Sequence, residues 1–213
     1  MTNKKFGGAI GAATGVTQNY SSYVLLAETK AVAGTKTFAS GMINPVMVDG
    51  TNTIEFADIP QGYRDLRIVF DNMGHNTSNS SGYRIMITLN GDTTTARYYT
   101  RSGVQATGSG NWNADNTNYF YYGYMYRPEN VTWSGTGEIM IPGYSAIRGG
   151  WNVRSFYGWW YHMNQSSYQI PYVFNYYNST DADKAITKIT FKIESDVGYR
   201  QRSKISLYGI GTV

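Results

Sequence analysis

The side chains able to do chemistry are few and poorly placed for it. The chain carries two histidines, His75 and His162, and no cysteine. His75 stands in the polar run 74–82, and His162 follows Trp159-Trp160-Tyr161. Neither has a second histidine or a carboxylate at the spacing zinc or iron ligands need, so no metal centre is expected. A hydrolytic triad through His162 lacks its nucleophile, because no serine stands in a G-x-S-x-G turn. Asp181 and Asp183 lie in a turn ahead of a strand. Solvation of that turn is a simpler reading than a glycosidase pair or a calcium site. Gly7-Gly8 has no strand–loop–helix setting and cannot be read as a phosphate loop. No cofactor is implied, and no enzymatic reaction.

Aromatic side chains are the other candidates. The chain holds 20 Tyr and 5 Trp. They gather at Trp112, Tyr119 to Tyr126, Trp133, Trp151, Phe156 to Tyr161 and Tyr172 to Tyr177. Rings with polar tips bury large area at low entropic cost, which suits interfaces, and their flat faces stack on sugars. Alternation places Tyr119 and Tyr121 on one face of a strand and Tyr122, Tyr124 and Tyr126 on the other. A strand aromatic on both faces must be covered twice. Three readings stay open: packing within the fold, a subunit interface, and ligand stacking. The residues singled out for the last two are Trp112, Tyr119, Tyr121, Tyr124, Tyr126, Trp133, Trp151, Trp159 and Trp160.

The elements that must hold these residues are strands. In 64–71, Leu66, Ile68 and Phe70 point inward while Asp65, Arg67 and Asp71 point outward, with Val69 the exception. Ile85, Ile87 and Leu89 mark another inward face, and Thr187, Ile189, Phe191 and Ile193 a third. This period of two is that of half-buried antiparallel strands. Asn90-Gly91 predicts a hairpin that returns the chain as 96–101, because both central residues of such a turn want positive φ. Asp196-Val197-Gly198-Tyr199 turns the chain into a closing strand that ends inside its own sheet. Runs 74–82 and 103–118 read as polar loops. No helical period longer than two turns is present. About eight to ten strands with frequent turn signals predict an all-β protein, a jelly-roll-like antiparallel β-sandwich.

The 213 residues suit one such domain with an appended arm. Net charge is +4, with basic residues scattered singly, which argues against a nucleic-acid partner. Nothing approaches a membrane span. Phe6 to Val16 is rich in Gly and Ala and lacks the apolar centre of a signal peptide, so the mature protein is expected to start near Met1. Residues 1–20 have too little apolar bulk to fold alone. They read either as a loose terminus or as an extended arm that orders against a neighbouring subunit through Phe6, Ile10 and Val16. Residues 21–52 form an attachment or linker region with short strands at 23–28 and near 36–39 and 46–48, broken around Pro45. The main domain is placed at 53–213.

Four segments, in order, resemble the virion structural proteins of tailed bacteriophages, a group that includes capsid decoration (cement) proteins, head and tail fibres and receptor-binding proteins. Ile54 to Ile68 is similar to an "f.dIP.gYr.LrI" opening, and Tyr83 to Asp92 to an "LNGD" strand and turn. Glu138 to Ser145 is similar to an "IpgYs" segment. The end resembles an I-T-x-I-x-F strand (Ile186 to Phe191) followed by S-x-I-S-L-Y-G-I (Ser203 to Ile210). Gln201-Arg202 stands where a glycine is common, so the last turn is expected to differ in shape. The resemblance implies a jelly roll on a virus particle and no catalysis. It implies a homo-trimer partnered by other virion proteins such as the major capsid protein, assembled in the host cytoplasm, or a fibre module that binds host-surface glycan. Decoration is favoured because the chain is short and shows no shaft repeat.

Removing residues 1–20 should leave a folded domain, by circular dichroism and thermal melting, that no longer enters particles. Normal incorporation of the truncated chain would refute the arm.

Overall fold

The computed structural model describes residues 24–30, 34–37, 52–77, 82–102, 113–125, 134–145, 153–162, 168–177, 185–200 and 203–212. Their regular structure is thirteen strands and one 3₁₀ turn, Glu194–Asp196. In chain order the strands are β1 (Val24–Lys30), β2 (Gly34–Thr37), β3 (Thr53–Ala57), β4 (Tyr63–Met73), β5 (Tyr83–Leu89), β6 (Tyr98–Ser102) and β7 (Asn113–Thr117). They continue as β8 (Phe120–Met125), β9 (Gly135–Ile141), β10 (Val153–His162), β11 (Tyr168–Tyr177), β12 (Ile189–Ile193) and β13 (Lys204–Thr212).

Two sheets pack face to face, ordered β1-β13-β4-β9-β10-β11-β6-β7 and β2-β3-β12-β5-β8. Within them lies the eight-strand double Greek key of a jelly roll. Its halves are β3-β12-β5-β8 and β4-β9-β6-β7, with the long hairpin β10–β11 inserted between β9 and β6. The expected all-β sandwich is therefore present. β13 adds outside β4 and β1 outside β13, while β2 adds to β3 in parallel. Both β1 and β2 fall in the stretch read as an attachment region, yet each is paired into a sheet. The arm 1–20, with Phe6 and Ile10, lies outside the described residues.

Alternation builds the core as expected at Leu66, Ile68 and Phe70, at Ile85, Ile87 and Leu89, and at Ile189, Phe191 and Ile193, all buried. Thr187 is exposed instead, because strand geometry begins only two residues later. At the centre, Phe70 meets Tyr122 at 4.9 Å and Phe191 edge-on at 5.6 Å, and Tyr122 meets Trp160 edge-on at 5.1 Å. Ring pairs of this kind each add roughly 0.5–1.5 kcal/mol beyond their buried area.

Two local readings need correction. Parity along β8 is broken at Gly123, which bulges at φ +56° and has no partner while Arg84 pairs with Tyr124 and Ile85 with Tyr122. Phe120, Tyr122 and Met125 are therefore buried, and Tyr124 joins Tyr121 on the outer face rather than opposing it. A Cβ at Gly123 would fall inside the Trp160 indole, as would one at Gly135. Glycine is needed there for space as well as for φ.

The second correction concerns Asn90-Gly91. Both residues have positive φ and the Asp92 amide donates to the Leu89 carbonyl at 2.9 Å, so the turn forms. It makes no hairpin, since β5 and β6 lie in opposite sheets. Both flanks of β5 are already taken by β12 and β8. Asn90 is tied to the start of the penultimate strand: its Oδ1 accepts from the amides of Thr187 (2.9 Å) and Lys188 (3.1 Å), and its Nδ2 donates to the Ala185 carbonyl at 3.0 Å. Asp92 then steers the crossing, accepting from Thr94 N (2.9 Å), Arg97 Nη1 (2.8 Å) and Tyr176 OH (2.5 Å). Likewise β12 and the closing strand β13 lie in opposite sheets, although β13 does end between two neighbours.

Gly123→Ala should cost about 3 kcal/mol in a denaturant titration, combining overpacking with left-handed strain. A loss under about 0.5 kcal/mol would mean Trp160 does not rest there. Burial raises the Asp92 pKa, but hydrogen bonds from Tyr176, Thr94 and Arg97 outweigh it and hold the carboxyl at about 2. Its folded pKa is below the unfolded one, so its stabilisation is complete above about pH 4 and lost as pH falls through about 2. Asp92→Asn should cost on the order of 2 kcal/mol at neutral pH and flatten the acid limb of a stability–pH curve.

Candidate functional site

The sandwich offers two outer faces, and they differ in chemistry. On the five-stranded sheet, Arg84 of β5 is the hub. Its Nε and Nη2 reach Glu194 at 3.0 and 2.6 Å, and its guanidinium lies 3.8 Å over the Tyr121 ring and 6.0 Å from that of Tyr124. Tyr119 crosses Tyr121 edge-on at 4.8 Å, with their hydroxyls 2.9 Å apart. Glu194 is presented by the 3₁₀ turn, where Ser195 takes φ +62°. Hydrogen bonding to Arg84 lowers the Glu194 pKa despite burial. Burial disfavours the Arg84 charge, yet Glu194 more than compensates and raises its pKa. Nearby, Glu55 binds Lys188 at 3.4 Å and Thr190 at 3.0 Å. This face is finished with charge.

On the eight-stranded sheet, ladder register lines up Tyr208, Arg67, Met140, Tyr157, Val173 and Arg101 across six strands. Tyr157 is 55% and Val173 46% exposed, and they are directly opposite each other. The neighbouring row places Val69, Glu138 and Trp159 side by side. Trp159 is half-buried, and Tyr161 stands two residues further on the same side of β10. Arg67 joins the two rows, binding Glu138 through Nε at 2.9 Å and Nη2 at 2.5 Å. The result is an aromatic and aliphatic strip with a charged pair set in it. It can cover another surface or stack on sugar rings; it holds no acid–base pair or nucleophile.

Of the residues singled out, Tyr119, Tyr121 and Tyr124 meet on the charged face and Trp159 lies on the apolar one. Trp160 does not belong to a surface. It is wholly buried, donates its indole N–H to the Tyr124 carbonyl at 3.2 Å and packs between the sheets. Adjacent residues on a strand point to opposite faces, so only one of the Trp159-Trp160 pair reaches the outside. Trp112, Tyr126, Trp133 and Trp151 lie outside the described residues, as do Asp181 and Asp183. Tyr157 lay within the aromatic run 156–161 but was not singled out, and Val173, Met140 and Arg67 were not among the candidates. Alternation with Trp159 is the signal that finds Tyr157; nothing local finds Val173, which is exposed only because β11 pairs where it does.

The histidine in the polar run proves buried. His75 bridges Tyr199, with Nδ1 3.0 Å from Thr77 Oγ1 and its ring edge-on to Tyr83 at 4.9 Å. It fastens the end of β4 to the link between β12 and β13. Among the described residues no group of three or more His, Asp or Glu is placed to hold a metal ion. Comparison of the chain with protein-family models, curated proteins and solved structures gives no match.

Proposed function

We propose that this chain is a non-enzymatic structural protein of a tailed-phage particle, a capsid decoration protein that docks on identical copies and on the major capsid protein. Two things support the reading. The four resembling segments lie at β3–β4, at β5 with its Asn90-Gly91 turn, at β9 with its following turn, and at β12 and β13. They are thus strands and corners of the sandwich, all but β13 belonging to the jelly roll itself. The observation that carries it is the inequality of the two outer faces. One is sealed by Arg84–Glu194 and Lys188–Glu55, while the other keeps Tyr157 and Val173 in water. Such a strip is what a partner's surface covers, and many weak copies of one contact around a shell add avidity.

A second reading, a receptor-binding module for host glycan, is favoured by one feature. Tyr157 and Trp159 share a face of β10 beside the Arg67–Glu138 pair, so ring stacking and hydrogen bonding lie together.

Tyr157→Ser combined with Val173→Ser should change stability by less than about 1 kcal/mol, since both side chains are largely exposed. The same double variant should cut the copies retained per particle about ten-fold. Hundreds of wild-type copies per particle mark a shell component; a handful, together with saturable binding of lipopolysaccharide or capsule, would replace decoration with the glycan reading.

A further inference from the structure

The jelly roll is complete in β3 to β12, with β13 laid beside β4. β1 and β2 stand outside it: β1 forms its ladder with β13 and β2 with β3, each at the margin of a different sheet. Three residues separate them in sequence, so β1 and β2 together act as a strap with one strand on each sheet. Fifteen residues separate the strap from β3. Drawn out, that tether reaches up to about 50 Å. The wider sheet, at about 4.8 Å per strand, measures only about 35 Å across. The strap can therefore reach past its own sandwich.

We infer that the strap is exchanged between copies, each chain laying its β1 along β13 and its β2 along β3 of a neighbour. Every backbone hydrogen bond of the strap is the same whichever chain supplies it. Exchange thus conserves the ladder and leaves protein concentration to set the outcome. Without a strap, β13 would show a nine-residue unpaired margin, so each acceptor edge selects for a donor. A parallel pair such as β2–β3 always needs a connection of about a dozen residues or more, which is also the length that permits exchange. The occupant is a second copy of this chain, since the register Glu28↔Ser206 and Lys30↔Lys204 is written in its own strands. The inference does not rest on a role in a particle.

The absence of cysteine makes the test direct, because every introduced thiol is unique. A full-length chain with Glu28→Cys is refolded together with one carrying Ser206→Cys, then oxidised and run without reductant. Exchange should give the mixed disulfide dimer about ten-fold above that from Glu28→Cys with Thr190→Cys, which sits on the other sheet, and more of it at higher concentration. Lys30→Cys with Lys204→Cys repeats the measurement away from buried Ser206. If chains bearing both cysteines of a pair close only within themselves at every concentration, and mixed pairs give no more dimer than the control, the strap belongs to its own chain. Either result leaves the Tyr157–Val173 face untouched, so the two proposals fail separately.

Discussion

The seating of Trp160 between the sheets is the constraint from which most of the other features follow. Its indole is the largest wholly buried side chain among the described residues and lies where Gly123 of β8 and Gly135 of β9 provide no Cβ. Tyr122 crosses it, its hydroxyl donating to the Trp159 carbonyl at 2.5 Å with the Glu138 carbonyl 3.1 Å away, which draws β8 down onto β9 and β10. Burying a ring this size contributes far more than one hydrogen bond, but only where the space exists. The glycines make the space, and one of them also makes the bulge. The bulge turns Tyr124 outward, where it and Tyr121 flank Arg84. A core requirement has thereby dressed one outer surface.

That coupling explains why the two faces differ. The five-stranded sheet is narrow, and its outward side chains are long enough to reach one another: Arg84 to Glu194, Lys188 to Glu55, Tyr119 to Tyr121. The inserted β10–β11 hairpin widens the other sheet and carries Tyr157 and Val173 away from such partners. The decoration role proposed above would use this division, with one side at ease in water and the other able to lose its water to a neighbour. The strap at β13 and β3 adds a different kind of contact, made of backbone ladder rather than rings. Association through both would combine specificity of register with apolar area.

Much of the framework was legible. The inward faces of β4, β5 and β12 could be read from alternation because the inward side of each strand is apolar throughout and the outward side mostly polar, and the Asn90-Gly91 turn from the φ its two residues prefer. The alternation rule failed where one residue was added to the count, at Gly123. The turn was recognised but its destination was not, since an Asn-Gly corner joins two directions without saying which strand lies alongside. Trp159 and Trp160 were equal as letters and became a surface residue and a core residue by a single step of the pleat.

What the chain's own letters determined was therefore local: where strands run, which of their sides avoids water, and where the path must bend. Which strand lies beside which was settled only in three dimensions, by the seating of Trp160, the ties from Asn90 to 185–188 and the hairpin inserted between β9 and β6. The physical reason is that alternation reports each side chain against its own strand axis. Pairing and exposure depend on residues 70 to 130 positions away, such as Arg67 and Glu138 or Phe70 and Phe191, whose encounter no local pattern records.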